Sequence, residues 1–286
     1  MVSTTSVNAA TLDALRTVIS RNVPVRVVQS DFRPSLTSRY YDTIPYFGGN
    51  LIRPTSSSGA YHYCSTGFNL TGAADGYAYA VSAGHCYQEE SATTFPTVAI
   101  MRSSPDRPSG MATVWTVSTS STGTISTRHG DLAIYRYTPI SGINNSSLGA
   151  GTIFVGNGNT ASSLSVKSTS DLPQNYQSAN IRTSGASGYV SGLYTGEISP
   201  DWISLVEQTI VCSNGFRTTN MTIVEDAVEC VSPGDSGGAV YLIVTSGVSA
   251  VGIVSGTNGQ GSGPTNCRNY YTSVKYIYFG GSIKTQ

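Results

Sequence analysis

Ser236 lies in a stretch typical of a turn, Cys230-Val231-Ser232-Pro233-Gly234-Asp235-Ser236-Gly237-Gly238, in which glycines stand on both sides of the serine. Glycine allows positive φ and close approach of a ligand to the backbone, so such a turn can present a hydroxyl as a nucleophile. The N–H groups of Gly234 and Ser236 could converge on a carbonyl oxygen as an oxyanion hole. The stretch also fits G-x-S-x-G, the nucleophile turn of α/β-hydrolases, and similar turns without any chemistry are common.

The three histidines of the chain narrow the choice between these enzyme classes. In α/β-hydrolases the chain order is serine, acid, histidine, so a histidine must follow the serine. His62, His85 and His129 all precede Ser236, and that order is therefore excluded. Two orders remain open, His-Asp-Ser and Asp-His-Ser, and each is known from a different fold.

His85 is the best candidate for a general base, and Asp131 for the carboxylate that orients it. His85 follows a run of small residues, and Asp131 opens the apolar run Leu132-Ala133-Ile134-Tyr135. A serine is too weak an acid to attack an amide at neutral pH, so a histidine must accept its proton while a carboxylate fixes the tautomer. His129 is a second candidate base, two residues before Asp131. His62 lies in an alternating run, which favours a position on a sheet face.

Composition excludes several other functions. The chain has 286 residues, a formal net charge of zero and only 11% charged residues, so we expect no nucleic-acid surface. No apolar run approaches the length of about 18 residues that a membrane span requires. Five cysteines indicate an oxidising compartment, and their odd number leaves one over. The start of the chain lacks an apolar leader, and we expect that it begins after a removed secretion signal.

Strands are predicted to carry these residues. Asn8 could cap a helix over residues 9–21, and a strand is predicted at Val23–Val28. An extended, proline-punctuated connector is predicted from Arg33 to Gly49. From about Leu51, short apolar runs alternate with turn residues, and the polar stretch 141–147 divides them into two series. The predicted strands are Tyr61–Leu70, Gly76–Ser82, Thr97–Arg102, Thr113–Ser118 and Leu132–Tyr137, then Thr152–Gly156, Tyr189–Tyr194, Ser204–Cys212, Asn220–Val224, Gly238–Thr245, Ala250–Ser255 and Tyr270–Tyr278. We therefore predict an N-terminal extension or pro-segment remnant at 1–46 and two β halves at 47–140 and 141–286.

Together, several motifs resemble the chymotrypsin-like serine proteases, and more narrowly their bacterial streptogrisin and α-lytic protease branch. The resemblance covers roughly residues 47–280 and rests on Ala83-Gly84-His85-Cys86, Gly130-Asp131-Leu132-Ala133, the segment Cys230–Gly238 and Val254-Ser255-Gly256. It implies an all-β fold of two antiparallel six-stranded barrels. The catalytic triad would lie in the cleft between the barrels.

The resemblance also implies a role for each motif residue. His85 is the general base, Asp131 orients it, and Ser236 is the nucleophile that forms an acyl-enzyme. Gly234 and Ser236 supply the oxyanion N–H groups. The segment Ser255, Gly256 and Thr257 pairs with the substrate backbone as an added strand.

Cysteines and one buried acid complete what the resemblance implies. It pairs Cys64 with Cys86 and Cys230 with Cys267, which leaves Cys212 free. It also places Asp235 in a buried position that needs a cation. Relatives of the bacterial branch tend to carry an arginine where this chain has Ser213, so we expect Arg217 to be the substitute.

The sequence thus predicts a secreted, monomeric serine endopeptidase that uses no metal and no organic cofactor. Its expected partners are polypeptide substrates and protein inhibitors, with no nucleic acid and no membrane. An apolar P1 residue is expected. The segment Glu229–Gly234 contains no aspartate, which argues against a preference for Lys or Arg. Glutamate-specific relatives have a histidine after the nucleophile, and this chain has none after Ser236. The alternative is a latent or non-catalytic protein of the same fold, in which residues 1–46 block the cleft.

Overall fold

The computed structural model describes residues 42, 44–71, 75–87, 94–95, 97–100, 109–116, 119–122, 125–155, 162–170, 181–184, 197–201, 203–211, 217–224, 230–258, 268–277 and 280–286. The chain divides into two units, Met1–Leu36 and Thr37–Gln286, and every described residue belongs to the second. The helix predicted at 9–21 and the strands predicted at 23–28 and 189–194 lie outside the described residues. Over the described ranges, no helix has the length and apolar character needed to cross a membrane.

The regular secondary structure of the described residues is almost entirely strand. In chain order these are β1 Tyr46–Gly48, β2 Leu51–Thr55, β3 Cys64–Ser65, β4 Asn69–Thr71, β5 Ala78–Ser82, β6 Thr97–Ile100, β7 Ser109–Thr116, β8 Thr119–Thr122, β9 Ile125–His129, β10 Ala133–Tyr137, β11 Gly149–Val155, β12 Ser162–Thr169, β13 Ile181–Ser184, β14 Glu197–Asp201, β15 Ile203–Val211, β16 Arg217–Val224, β17 Ala239–Val244, β18 Gly247–Thr257, β19 Asn269–Ser273 and β20 Ser282–Ile283. Short 3-10 turns lie at Gly84–Cys86, Asn145–Ser147 and Val274–Tyr276.

Eight strands form a first sheet in the order β20-β4-β5-β10-β7-β6-β2-β3, and all neighbouring pairs are antiparallel. Both faces of β5 are buried, and its side chains alternate between two apolar clusters. Ala78 and Ala80 face one cluster, whose members lie between Tyr46 and Leu148, whereas Tyr79 and Val81 face the other. That second cluster also contains Ile153, Tyr241 and Ile253 of the second sheet, so the two sheets share a core.

Twelve strands form a second, mixed sheet, whose longest path is β1-β11-β12-β18-β19-β16-β9-β8. Three of its pairs are parallel: β1 with β11, β12 with β18, and β9 with β16. Strands β8 and β9 therefore belong to this sheet, although β7 and β10 on either side of them belong to the first. The chain crosses from one sheet to the other between His129 and Ala133.

The prediction of an all-β fold is confirmed. Instead of two antiparallel six-stranded barrels, however, the described strands form one antiparallel sheet of eight strands and one mixed sheet of twelve. Among the described residues, neither sheet closes into a ring through backbone hydrogen bonds. The predicted strand Tyr61–Leu70 is divided into β3 and β4, and between them the N–H groups of Thr66 and Gly67 donate to Asn50 O and Val81 O. The strand predicted at Tyr270–Tyr278 ends at Ser273, whose hydroxyl accepts the Lys275 N–H and begins a 3-10 turn.

Candidate active site

His85 and Asp131 are joined by two hydrogen bonds. The Nδ1 atom of His85 lies 2.7 Å from Asp131 Oδ2, and the backbone N–H of His85 donates to Asp131 Oδ1 at 2.8 Å. The aspartate side chain is only 5% exposed, whereas the histidine side chain is 31% exposed. A carboxylate on Nδ1 selects the tautomer that carries its proton there, so the other ring nitrogen, Nε2, is left able to accept a proton.

Asp131 is positioned at the crossing between the sheets. Gly130 has φ of 80° and donates its N–H to Thr219 O of β16 at 2.9 Å, which ends the pairing of β9 with the second sheet. The Asp131 N–H then donates to Thr272 Oγ1 of β19 at 3.1 Å, and the first sheet resumes at Ala133. The N–H groups of Gly130 and Asp131 are therefore both bound to the second sheet. The Asp131 carboxylate reaches His85, which lies in the turn after β5 of the first sheet.

Ser236 lies on a loop between Cys230 and β17, and this loop is attached to the first sheet. The Ser65 N–H donates to Ser236 O at 2.7 Å, and the Ser65 hydroxyl donates to Gly234 O at 2.7 Å. Gly237 has φ of 87°, and a Cβ there would lie 2.1 Å from Ser82 Oγ. Only glycine fits at this contact, because both the backbone angle and the lack of space exclude a side chain.

A disulfide places Ser236 next to the histidine turn. Cys64 and Cys86 are bonded with an S–S distance of 2.02 Å, which confirms their predicted pairing. Cys86 Sγ lies 3.8 Å from Ser236 O, and Cys86 directly follows His85. His62 also lies near these sulfurs, but the sulfur atoms are bonded to each other and so offer no thiolate to a metal ion.

Some backbone N–H groups of the serine loop are hydrogen-bonded within the protein and others are not. The Asp235 N–H donates to Ser232 O at 2.9 Å, and the Gly238 N–H donates to Asp235 O at 2.8 Å. The Gly237 N–H donates to Val254 O at 2.7 Å. Within the described part of the chain, the N–H groups of Gly234 and Ser236 donate to no protein acceptor. They belong to alternate residues, and Gly234 has φ of 101°. Two such donors beside a serine are what an oxyanion hole requires.

The end of β18 lies beside the same loop. On one side, β18 continues to pair with β19 as far as Thr257. On the other side its last partners are the loop residues Gly237 and Gly238, which bond to Val254 at 2.7 and 2.9 Å. Ser255, Gly256 and Thr257 are half-exposed, no described strand lies along their second edge, and a Cβ on Gly256 would meet nothing within 4 Å.

Asp235 is almost completely buried, with 2% exposure, as the sequence predicts. Its carboxylate accepts the Ser232 N–H at 2.9 Å and so closes the turn before Ser236. The predicted ion pair with Arg217 involves a side chain outside those described, and it stays a prediction. In the backbone, Arg217 pairs with Thr127 of β9 and Val211 of β15.

The other predicted residues are only partly described. Cys230 is disulfide-bonded, but Cys267 and Cys212 lie outside the described residues. The His62 ring packs edge-on against Phe95, with ring centroids 4.3 Å apart. His129 ends β9, where its backbone pairs with Thr219, and its side chain is outside those described.

Sequence reasoning missed two residues that hold the site together, Ser65 and Thr272. Ser65 follows a cysteine of the recognised motifs, and that position is the one signal that could have identified it. Thr272 lies in the tyrosine-rich run Tyr270-Tyr271-Thr272, which is typical of a strand and carries no sign of a role in a site.

No protein-family model matches the sequence, and no curated protein sequence matches it. Solved structures do match. One is described as a glutamic acid specific serine protease that utilizes a novel histidine triad in substrate binding; it is 24% identical, with a TM-score of 0.55 over 83% of this chain and 100% of the other. A chymotrypsin from Cellulomonas bogoriensis is 20% identical, with a TM-score of 0.51 over 84% and 98%. An alpha-lytic protease homolog, N4, is 20% identical, with a TM-score of 0.50 over 83% and 98%. The chain therefore has the fold of the chymotrypsin-like serine proteases.

Proposed function

We propose that this protein is a secreted serine endopeptidase, in which His85, Asp131 and Ser236 form the triad. The proposal rests above all on the paired hydrogen bonds between His85 and Asp131, at 2.7 and 2.8 Å, beside a loop that carries Ser236. The fold of serine proteases supports the same reading. Secretion is supported by the Cys64–Cys86 disulfide, since such bonds persist in oxidising compartments.

In the proposed reaction, Ser236 Oγ attacks the carbonyl carbon of the scissile peptide bond. His85 accepts the hydroxyl proton at Nε2, because Nδ1 already donates to Asp131, and the Asp131 carboxylate stabilises the resulting imidazolium. The negative charge that develops on the carbonyl oxygen is met by the N–H groups of Gly234 and Ser236.

Collapse of this intermediate breaks the C–N bond and yields an ester on Ser236. The leaving amine takes the proton from His85 Nε2. Water then attacks the ester, His85 takes one of its protons, and release of the acid restores the serine hydroxyl. All groups in these steps belong to the chain, apart from the substrate and water.

The substrate is bound as an additional strand along Ser255, Gly256 and Thr257, on the edge opposite β19. This edge begins next to Val254, whose backbone bonds hold Gly237 and Gly238, so a peptide bound there leads directly to Ser236. Backbone pairing reads the extended shape of a peptide and leaves its side chains to be read by pockets. An unfolded segment of a polypeptide is therefore the expected substrate.

Apolar residues are proposed at P1. By the family resemblance, glutamate-specific relatives carry a histidine after the nucleophile, whereas every histidine of this chain precedes Ser236. Peptide anilides with Phe, Leu, Ala, Arg or Glu at P1 would test this. We expect fastest turnover with an apolar residue, and fastest turnover of the Arg substrate would contradict the proposal.

Covalent labelling tests the mechanism itself. A phosphonyl or sulfonyl fluoride should form one adduct, on Ser236, at pH between about 6 and 9. The adduct should disappear in the His85→Ala variant and persist in His62→Ala, which removes a histidine packed against Phe95. Absence of labelling in the unmodified protein at every pH would refute the mechanism.

Latency is the second candidate, in which the N-terminal extension keeps the enzyme inactive until it is removed. Asp42 is fully buried and accepts the Phe47 N–H at 2.6 Å and the Asn50 amide at 3.2 Å. Tyr46 is also buried and pairs with Gly149. Any removal should therefore stop before Asp42, since cutting beyond it would take away part of the core.

Mass spectrometry during incubation separates the two candidates. Trimming that ends before Asp42, together with a gain in peptidase activity, supports latency. An intact chain that is stable and active from the start rejects latency and leaves the primary proposal in place.

A further inference from the structure

Thr272 is fully buried on β19, and its hydroxyl contacts three elements of the site. The Asp131 N–H donates to Thr272 Oγ1 at 3.1 Å. Ser255 Oγ lies 3.2 Å from the same oxygen, and Met221 Sδ of β16 lies 3.4 Å from it. The Thr272 methyl lies 3.3 Å from the position that a Cβ on Gly130 would occupy.

The Thr272 hydroxyl has enough donor and acceptor capacity for all three contacts. A threonine hydroxyl has one proton to donate and two lone pairs. One lone pair accepts the Asp131 N–H. If Ser255 Oγ donates to the second, the Thr272 proton is free for Met221 Sδ, and every group is then satisfied. A side chain without a hydroxyl would leave the buried Asp131 N–H without an acceptor.

Ser255 is placed for this contact by an irregularity in its strand. The register between β18 and β19 shifts between Val254 and Gly256, so Ser255 has no opposite residue on β19. Such an extra residue bends the strand and redirects a side chain. Here the side chain is directed to Thr272, one residue before Gly256 and Thr257.

We propose that Thr272 is a positioning residue for the proposed protease: its hydroxyl sets the distance between Asp131, which orients His85, and the strand Ser255–Thr257, which binds the peptide. The inference rests on the proposed function. It adds that the orientation of the base and the placement of the substrate depend on the same hydroxyl, so that a loss at Thr272 lowers kcat and raises KM together.

Three variants test the proposal. Thr272→Val keeps the shape and removes the hydroxyl, whereas Thr272→Ser keeps the hydroxyl and removes the methyl. Thr222→Val is the matched control, a buried threonine on the adjoining strand β16 that takes no part in the site. Thr272→Ala replaces the valine variant if that variant does not fold.

Two readouts are needed. The first is hydrogen exchange of the Asp131 backbone amide, followed by NMR, which we expect to be at least tenfold faster in Thr272→Val than in Thr272→Ser or the control. The second is peptide hydrolysis, for which we expect kcat to fall roughly 10- to 100-fold, as for other displacements of catalytic geometry, with a rise in KM. Thr272→Ser should recover most of both.

Each outcome decides something different. Unchanged exchange at Asp131 in Thr272→Val overturns the inference, whether or not the protein is a peptidase. Faster exchange with unchanged kcat and KM overturns the positioning role. If the unmodified protein neither cleaves peptides nor labels at Ser236, the proposed function fails, and the exchange measurement alone still decides whether Thr272 holds Asp131.

Discussion

The Asp131 carboxylate binds both the ring and the backbone of His85. Its Oδ2 lies 2.7 Å from the ring Nδ1, and its Oδ1 accepts the backbone N–H of His85 at 2.8 Å. One carboxylate thus fixes the orientation of the imidazole and of the turn that carries it. Gly84 makes this approach possible, because a Cβ there would lie 3.0 Å from Asp131 Oδ1.

Asp131→Asn should abolish most of the activity with little change in the fold. An amide cannot accept both hydrogen bonds in the same way and favours the wrong tautomer of His85, and the loss measured for such a change in a Ser-His-Asp triad is roughly 10⁴-fold in kcat. Asp75→Asn is the control, since Asp75 binds Tyr77 and Tyr79 at the surface. A kcat for Asp131→Asn within tenfold of the unmodified enzyme would contradict the proposed role of Asp131.

Ser65→Ala should weaken the oxyanion hole. The variant leaves the buried carbonyl of Gly234 without the 2.7 Å bond from Ser65 Oγ, so the orientation of the Gly234 peptide is less restrained. We expect a loss of about 1–3 kcal/mol in the free energy of unfolding and roughly a tenfold fall in kcat, less than the loss of a whole oxyanion donor. Ser82→Ala is the matched control, because its hydroxyl is equally buried but donates to Ser65 O at 2.8 Å. Equal kcat values in the two variants would show that the Gly234 contact is not used in catalysis.

Comparing Gly237→Ala with Gly59→Ala separates the cost of backbone strain from the cost of a steric clash at the added Cβ. Both glycines have φ of 87°, but a Cβ at Gly59 meets nothing within 4 Å, whereas one at Gly237 lies 2.2 Å from Ser65 O. Gly59→Ala should cost about 1–2 kcal/mol in unfolding free energy, the usual cost of a left-handed conformation with a Cβ. Gly237→Ala should cost several times more and prevent labelling of Ser236. Urea unfolding of both variants would measure this, and similar losses would mean that the loop is free to move away from Ser65.

Tyr137→Phe should reduce stability in a way that depends on pH. The phenol donates to Asn69 Oδ1 at 2.6 Å, and burial, followed by the charges of Asp42 and Tyr46, raises its pKa well above the ordinary value of 10.0. Loss of the donor should cost about 1–3 kcal/mol at neutral pH. Above about pH 10 the unfolded phenol loses its proton while the folded one keeps it, so this tyrosine makes the unmodified protein less stable as the pH rises.

The difference between Tyr137→Phe and the unmodified protein should therefore shrink above about pH 10, by up to about 1.4 kcal/mol per pH unit. Urea unfolding at about pH 8 and about pH 11 would measure it. Ser82→Ala serves as the control, because it removes a buried hydroxyl that does not ionise and should show no such trend. A constant difference across this range would contradict a buried, protonated Tyr137.

Local motifs made the candidate residues of the site predictable. His85, Asp131 and Ser236 each stand in a short run that is ambiguous alone, but the three runs together resemble one family. Strand prediction worked where apolar residues alternate or run together, as in β5, β10 and β17, since burial on one or both faces leaves that pattern. The site residues found this way are those whose own neighbours in the sequence explain them.

Features created by distant contacts were not predictable. Strand β12, Ser162–Thr169, is rich in serine and threonine with one lysine, and it forms because it pairs with β11 and β18. Pairing of β9 with β16 could not be foreseen either, because a parallel pair between residues 127–129 and 217–219 leaves no local signal. Thr272 acquires its contacts only through that arrangement, so nothing in its own strand distinguishes it from Thr222.

Ser65 and Gly234 are 169 positions apart, and their contact gives the proposed site a place in the order of folding. Contacts between residues so distant in sequence form slowly, because a long loop must close before any interaction compensates for the lost chain entropy. The serine loop can dock only on a first sheet that already exists. A chain still on its way to the native state would therefore carry no assembled nucleophile, and it could not digest its unfolded neighbours while they remain exposed to cleavage.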